Sequence, residues 1–172
     1  DSSTEATVAV DMGEPLMNPD DVPFDANQTR LSHCVDIADG SESQTVEVTP
    51  LSMGNPHAVI FVDNIAEAPV ERIATALQTH ARFPKSVNVG FLQVIDRGFG
   101  RLRVFERGVG ETRACGSGAC AAAVAGRLHG HFGERVKISL PGGKVRIIWK
   151  GEGTPVKMIG PAVLVFEGQL PV

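Results

Sequence analysis

The residues best suited to chemistry lie in one stretch, residues 106–118, which reads Glu-Arg-Gly-Val-Gly-Glu-Thr-Arg-Ala-Cys-Gly-Ser-Gly. Its cysteine, Cys115, comes shortly before residues 119–125, which are mostly alanine and predict a helix of very small side chains. The first N–H groups of a helix lack internal partners and carry the positive end of its dipole. They predict a lowered pKa for the Cys115 thiol and a carboxylate site on the N–H groups of Gly116, Ser117 and Gly118. The same pattern also suits a small buried cysteine in a tight turn before a core helix.

Three further motifs accompany this stretch along the chain. Residues 52–57 read Ser-Met-Gly-Asn-Pro-His, residues 82–91 contain Arg-Phe-Pro and then Asn-Val-Gly-Phe, and residues 140–143 read Leu-Pro-Gly-Gly. Together with residues 106–118, and in the same order, they resemble the motifs of the diaminopimelate epimerase family. Any one of these short motifs would be weak, but four in register along most of the chain make the resemblance specific.

The resemblance implies an isomerase, a cofactor-independent epimerase that interconverts L,L- and meso-diaminopimelate by a two-cysteine, two-base mechanism. Cys115 would be one base, with catalytic support from His57 and Glu106. The implied substrate contacts come from Asn55, Asn88, Glu106, Arg107, Gly116 and Ser117. An arginine can bind the distal carboxylate of such a substrate, asparagine amides can add hydrogen bonds, and a glutamate can accept from its distal ammonium. No lysine lies in a recognisable site motif, so pyridoxal phosphate is not expected as a cofactor.

Taken singly, the matched residues have simpler interpretations. Asn55 suits an Asn-Pro turn, His57 a core histidine, and the adjacent Glu106 and Arg107 a solvated surface pair. Three other functions stay open. A proline racemase-like enzyme shares the two-cysteine logic but has no charged distal group for Arg107 to bind. A cysteine-nucleophile enzyme would pair Cys115 with His57. The third alternative is a non-catalytic lobe that acts as a folding or dimerisation module.

Composition excludes several other classes. A chain of 172 residues with 42% hydrophobic and 21% charged residues is typical of one globular domain with a real core. A net charge of −4 argues against a nucleic-acid partner, and no apolar run approaches the ~18 residues that span a membrane. The spacing of Cys34, Cys115 and Cys120 fits no zinc motif, so neither a metal site nor a disulfide framework is expected. Cys34 and Cys120 are assigned structural roles, with Cys120 packed in the core.

Patterning predicts many short strands and two helices. The strands are expected at residues 7–11, 33–37, 44–51, 58–62, 87–95, 101–105, 136–140, 144–149, 156–159 and 162–166. An amphipathic helix is predicted at residues 70–80 and the small-residue helix at about 116–129. A helix so poor in bulk fits best inside a sheet. The fold class is therefore α+β, with a curved, mostly antiparallel sheet wrapped around a central small-residue helix, as the resemblance also implies.

Family members have two lobes with one catalytic cysteine in each, and nothing here resembles the first-lobe cysteine motif. The chain is therefore interpreted as the C-terminal part of an epimerase, inactive without its missing N-terminal lobe. Residues 1–30 would form a lead-in strand and inter-lobe stretch, residues 31–160 the lobe, and residues 161–172 a terminal strand returning toward the missing lobe. Family membership further implies lysine biosynthesis, a cytoplasmic location and a homodimer with its subunit contact near Phe166.

Overall fold

The structure is a computed structural model that describes residues 6–39 and 42–169. Its strands and helices follow one another as β1 (Ala6–Asp11), β2 (His33–Asp39), β3 (Glu42–Ser52), β4 (Pro56–Phe61), α1 (Val70–Gln78), β5 (Asn88–Asp96), β6 (Phe99–Glu106), β7 (Gly110–Thr112), α2 (Gly116–Leu128), β8 (Arg135–Leu140), β9 (Gly143–Ile148) and β10 (Lys157–Ala162). The strands form one sheet in the order β1-β10-β9-β8-β6-β5-β4-β3-β2, and β7 pairs with β6. The β4–β5 and β6–β8 pairs are parallel, whereas the other pairs are antiparallel.

The helix α2 lies at the centre of the main hydrophobic core. It packs against six strands, β3, β4, β5, β6, β8 and β9. Six strands spaced about 4.8 Å apart are much wider than one helix of ~10 Å diameter, so the sheet must curve around α2. Every residue from 118 to 126 is buried. Only glycine, alanine, cysteine and valine occur there, which lets the strands approach the helix closely from several sides.

A second core lies on the opposite face of β2–β5, under α1. The apolar face of α1 is formed by Val70, Ile73, Ala74 and Leu77, which are buried against the outward side chains of these strands. Along β4, Ala58 and Ile60 join this second core while Val59 joins the core around α2. Burial on both faces explains why β4 is an uninterrupted apolar run rather than an alternating one.

The predicted fold class is confirmed, and most elements lie within one or two residues of their predicted positions. Both helices are present, and α2 ends as expected before Gly130, which adopts a φ of +76°. Neither helix of the described residues is long and apolar enough to cross a membrane. The division of the chain into a lead-in, a lobe and a returning segment stays a prediction.

The structure differs from the predicted strands in two places in the second half of the chain. Residues 156–166 were expected to hold two strands, but β10 is a single strand that ends at Ala162, and residues 163–169 have no regular secondary structure. Phe166 is exposed there. The three-residue β7 was not predicted, because Gly110–Thr112 carries no alternating pattern and is held only by pairing with β6. Cys34, by contrast, lies on an edge strand as its alternating pattern predicts, and it is exposed on β2.

Candidate active site

Three strands deliver the predicted side chains to one edge of the sheet. In the parallel pair β4–β5, His57 stands opposite Asn88, so both strands begin at the same edge. The next strand, β6, runs antiparallel to β5 and ends at that edge with Glu106. Because β4 and β5 begin at this edge and β6 ends there, residues that are up to 49 positions apart in the sequence lie close together. Asn55 immediately precedes β4 in the same region.

A short hairpin then returns the chain to bring Cys115 beside Glu106. Strand β7 folds back on β6, with Gly110 opposite Glu106, and leads directly to α2. The Cys115 Sγ donates to Glu106 Oε2 over 3.3 Å. The other carboxylate oxygen, Oε1, accepts from the hydroxyl of Thr112. Thr112 was not assigned a role from the sequence, since its contact with Glu106 depends on the unpredicted strand β7.

Cys115 occupies the predicted position at the start of α2, but its titration differs from the prediction. It is the N-cap residue, with extended backbone angles, and only 7% of its surface is exposed. Burial raises the pKa of the Cys115 thiol, and the Glu106 carboxylate raises it further. Hydrogen bonds from the Gly118 N–H and the Ser117 hydroxyl lower the pKa but do not reverse the shift. The expected lowering was therefore wrong, because the helix end is buried and faces a carboxylate.

Ser117 connects Cys115 with a second cluster formed by His57 and Asn55. Its Oγ lies 3.2 Å from His57 Nε2, 3.4 Å from Asn55 Nδ2 and 3.8 Å from Cys115 Sγ. The His57 Nε2 also lies 3.0 Å from Asn55 Oδ1, an acceptor, so this nitrogen carries the proton. That proton is directed at Asn55 Oδ1, whereas Asn55 Nδ2 donates to Ser117 Oγ. The single hydroxyl proton of Ser117 is left to point toward Cys115.

His57 is buried, with 1% of its surface exposed. Burial lowers its pKa from the ordinary 6.5 to about 4, so it is neutral at neutral pH. It has no direct hydrogen bond to Cys115 among the contacts of the described residues. Within the described residues, the polar contact between His57 and Cys115 therefore runs through Ser117.

The side-chain amide of Asn88 joins two backbone segments of the site. Its Nδ2 donates to the Pro56 carbonyl over 3.0 Å, and its Oδ1 accepts from the Arg107 N–H over 3.0 Å. Asn88 is buried, with 5% of its surface exposed. Its two hydrogen bonds hold the start of β4 to the turn after β6. Arg107 is exposed, and one N–H of its guanidinium is bound to the Lys85 carbonyl at 2.7 Å. Among the described residues, the other guanidinium N–H groups of Arg107 have no hydrogen-bond partner.

Glycine is required where α2 begins. A Cβ added at Gly118 would lie 3.2 Å from Cys115 Sγ and 3.1 Å from Val104 Cγ2. Both distances are tighter than ordinary contacts, so a side chain at this position would displace the thiol or the strand behind it. A Cβ added at Gly116 would lie 3.2–3.3 Å from the Cε and Sδ atoms of Met158 in β10. The first turn of α2 is thus shaped by close packing on both sides.

We expect the substitution Glu106→Gln to lower the pKa of the Cys115 thiol. The carboxylate raises that pKa by accepting the thiol proton and by its negative charge, and an amide removes the charge. In a Cys34→Ala background, ultraviolet titration of the thiolate and the rate of alkylation by iodoacetamide report on Cys115, since Cys120 is fully buried with a pKa of about 12. Alkylation near neutral pH should be several-fold faster in the variant.

The matched control is Glu111→Gln, which removes a nearby carboxylate that pairs instead with Arg103 over 2.6 Å. It should leave the Cys115 titration in place. A Cys115 midpoint that is unchanged or higher in Glu106→Gln would show that Glu106 does not govern this thiol.

The free energy of unfolding should depend on pH through His57. The unfolded histidine takes up a proton below its ordinary pKa of 6.5, whereas the folded one does so only near 4. The unfolded state therefore binds more protons in this window, and stability falls as the pH drops from about 6.5 to about 4. The loss is about 3 kcal/mol for a shift of this size. Urea unfolding of the wild type and of His57→Gln at several pH values isolates the contribution of His57 to the free energy of unfolding, because the other titrating groups contribute equally to both proteins. Identical pH slopes would contradict the assignment.

Comparison with known proteins identifies the family of this chain. The sequence model of the diaminopimelate epimerase family matches residues 49–165. The diaminopimelate epimerase of Ectopseudomonas mendocina is 55% identical over 166 residues, which are 96% of this chain and 59% of that protein. The diaminopimelate epimerase of Stutzerimonas stutzeri is 51% identical over 170 residues, 99% of this chain and 60% of that protein. The chain thus spans about three-fifths of the length of these curated relatives.

Two solved structures share the fold at low sequence identity. A hydroxyproline epimerase from Agrobacterium vitis with bound trans-4-hydroxy-L-proline aligns with a TM-score of 0.62 at 15% identity, covering 94% of this chain and 52% of that one. A probable proline racemase from Agrobacterium radiobacter aligns with a TM-score of 0.58 at 16% identity, covering 96% and 54%. The fold is therefore that of one lobe of the racemase and epimerase class. Within this class, the chain belongs to the diaminopimelate epimerase family.

Proposed function

We propose that this chain supplies one half of the active site of a cofactor-independent epimerase, an isomerase that interconverts L,L- and meso-diaminopimelate. The observation that carries the proposal is the Cys115 thiol, held at the start of α2 with its Sγ 3.3 Å from the Glu106 carboxylate. A thiol beside a carboxylate, at the positive end of a helix dipole, can pass a proton in either direction.

In the proposed reaction, one base acts on each face of the substrate α-carbon. Glu106 first accepts the proton of Cys115, and the resulting thiolate removes the α-proton and becomes a thiol again. A thiol on the opposite face donates its own proton to the carbanion-like carbon, which inverts the configuration and leaves that group as a thiolate. The reverse reaction exchanges the two roles. Before the next turnover the proton on Glu106 passes to solvent and the thiolate on the opposite face takes one up, so no net proton is gained or lost and no cofactor is needed.

The start of α2 suits the carboxylate next to the reacting carbon. The N–H groups of Gly116 and Ser117 are the first two of the helix and have no partner at i−4 within it, whereas the Gly118 N–H already bonds the Cys115 thiol. Two adjacent N–H groups at a helix N-terminus bind a carboxylate and stabilise the negative charge that develops during proton removal. In this proposal they hold the substrate directly above Cys115.

The distal end of the substrate would meet the residues at the sheet edge. Arg107 is exposed there and can bind the distal carboxylate, while Asn55 and Asn88 add amide contacts. Both oxygens of Glu106 already bond to Thr112 and Cys115, which favours its support of the thiol over binding of the distal ammonium. Neutral His57 would keep Ser117 oriented toward the thiol.

The second base is proposed to come from the remainder of a longer protein. The other two cysteines of the chain are unsuited to this role, since Cys34 lies on the far edge strand and Cys120 is fully buried. The chain alone is accordingly proposed to be inactive. Roles in lysine biosynthesis, a cytoplasmic location and a homodimer are proposed by family membership.

The test is proton exchange at the α-carbon of L,L-diaminopimelate in deuterated water, preceded by measurement of the intact mass. A protein longer than this chain should incorporate deuterium with inversion to the meso form. The 172-residue chain by itself should incorporate none. Exchange catalysed by this chain alone would overturn the need for a second lobe. A trapped thioester would instead favour a cysteine nucleophile, although the polar contact between Cys115 and His57 runs through Ser117 in the structure.

A further inference from the structure

A concentration of positive charge lies on the face of the sheet turned away from α2, chiefly on strands β8–β10, beyond the strands that α1 contacts. Residues 81–172 contain 14 lysines and arginines but only 6 acidic residues, whereas residues 1–80 contain 2 and 14. In the second half of the sheet, exposed positions that alternate with the buried ones carry cations. They are Arg101 on β6, Arg135 and Lys137 on β8, Lys144 and Arg146 on β9, and Lys157 on β10. The net charge of −4 conceals this segregation.

The strand register places like charges next to one another. Lys137 of β8 stands directly opposite Arg146 of β9, and Lys144 lies two residues along the same strand, opposite Ser139. On its other side Lys137 is paired with Phe99 of β6, and Arg146 is paired with Ile159 of β10. Neither of these partners is charged. Like charges directly opposite on an antiparallel pair are destabilising.

Within the part of the chain that the structure describes, no acidic side chain pairs with these three cations. Within residues 6–39 and 42–169, the ammonium and guanidinium groups of Lys137, Lys144 and Arg146 take part in no ion pair or side-chain hydrogen bond. A local rule that is broken at a cost, without compensation in the fold, points to a functional site.

A cavity lies beside these three side chains. The β9–β10 ladder ends at the pair of Arg146 and Ile159, while β10 continues along β1 as far as Ala162. The two strands therefore separate. At this place there is a cavity of about 210 Å³, lined by Lys137, Lys144 and Arg146 together with Thr7 and the backbone region of residues 159–161.

We propose that this cavity binds a small phosphate-bearing anion with at least two adjacent negative charges, an oligophosphate or the phosphate chain of a nucleotide. Three cations line one cavity, none of its described lining residues is acidic, and such an anion would neutralise all three at once. Lysine and arginine are the side chains that recognise phosphate, with the guanidinium able to contact two oxygens. The site lies on strands β8–β10 and β1, apart from the sheet edge where Glu106 and His57 meet, and does not depend on the function proposed there.

Calorimetric titration with tripolyphosphate at constant ionic strength tests the proposal. Saturable binding is expected for the wild type, together with a rise in the melting temperature as the ligand concentration increases. The substitutions Arg146→Gln and Lys144→Gln should each weaken binding at least tenfold. The matched control is Lys150→Gln, an exposed lysine beyond the end of β9 that does not line the cavity, and it should bind as the wild type does.

Parallel titrations with ATP and with adenosine separate the two sources of phosphate. Binding of ATP tenfold or more tighter than tripolyphosphate would assign the site to nucleotides, whereas equal binding of both and none of adenosine would assign it to the phosphate chain alone. Both results support the proposal. Absence of saturable tripolyphosphate binding, or an equal loss in Lys150→Gln, overturns it, as does binding of a long oligonucleotide without binding of tripolyphosphate.

Stability without ligand provides a second, independent readout. Because Arg146 stands opposite a like charge, Arg146→Gln should melt at a temperature equal to or higher than the wild type while losing the response to tripolyphosphate. This combination separates a binding role from a structural one. A variant that melts markedly lower would show that Arg146 stabilises the fold, and would overturn the argument from uncompensated charge.

Discussion

Replacing Cys115 with alanine should abolish deuterium exchange at the α-carbon of diaminopimelate in an active, longer form of the protein. Loss of one positioned acid or base typically costs 10²–10⁴-fold in rate, and inversion requires a group on each face. We therefore expect a fall of at least ~10³-fold in epimerisation. Cys115 borders Val104 and Gly118 in the core, but alanine differs from it by one sulfur atom, so folding should be retained.

The controls for this prediction are the other two cysteines. Cys34→Ala removes an exposed thiol on β2 and should leave the rate unchanged. Cys120→Ala removes a fully buried thiol within α2 and should affect stability rather than the rate per folded molecule. Circular dichroism of each variant checks folding. Epimerisation by Cys115→Ala at a rate close to that of the wild type would refute the role of this thiol as an acid and base.

The largest expected effect on stability comes from Gly126, at the end of α2. A Cβ at this position would lie 2.3 Å from Cδ2 and 2.5 Å from Cε2 of Phe132. The same ring is 2% exposed and is confined on its other side by Gly100, where a Cβ would lie 2.7 Å from its Cζ. The ring is therefore packed closely against both glycines. Gly126→Ala must displace the helix or the ring.

Two opposing terms decide the sign for Gly126→Ala. Alanine favours the helix over glycine by about 1 kcal/mol, whereas overpacking a core costs about 1–3 kcal/mol and occasionally more. Since the overlap involves a ring held on both sides, we expect a net loss of about 1–2 kcal/mol, visible as a melting temperature several degrees lower.

A double-mutant cycle tests the cause of this loss. Phe132→Ala should itself cost about 3–5 kcal/mol, as for other buried aromatic residues. With the ring removed, Gly126→Ala should become stabilising, because only the helix propensity remains. If Gly126→Ala destabilises equally in both backgrounds, the contact with Phe132 is not the reason that glycine occupies this position.

The elements that the sequence predicted most accurately are those with a strong local pattern. The apolar positions of α1 recur at helical spacing, and all four were found buried on one face. The alanine-rich α2 was placed correctly, including its start at Gly116, because no strand has such a composition. By contrast, β7 has three residues and exists only through pairing with β6. The predicted strand at residues 162–166 was wrong, since β10 ends at Ala162 and residues 163–169 have no regular secondary structure.

In the candidate site, too, the sequence identified residues that belong to motifs but not contacts that depend on tertiary structure. The motifs identified Cys115, Glu106, His57 and Asn55 from their residue types and order, and the structure brings these four into one hydrogen-bonded group through Ser117. Their roles in catalysis stay predictions. Thr112 and the linking role of Ser117 were missed, since neither a threonine in a glycine-rich turn nor a serine after a cysteine has a pattern that reveals its partner.

The sequence by itself determined the family, the α+β class and the small-residue helix at its centre, because motif order, strand patterning and alanine content are properties of the chain read in one dimension. Only the tertiary structure decided the protonation of Cys115. A helix N-terminus lowers the pKa of a thiol, but burial and the facing carboxylate of Glu106 outweigh it, and neither can be read from local sequence. The same holds for the cationic face of β8–β10, where a net charge of −4 concealed uncompensated lysines and arginines until the strand register set them side by side.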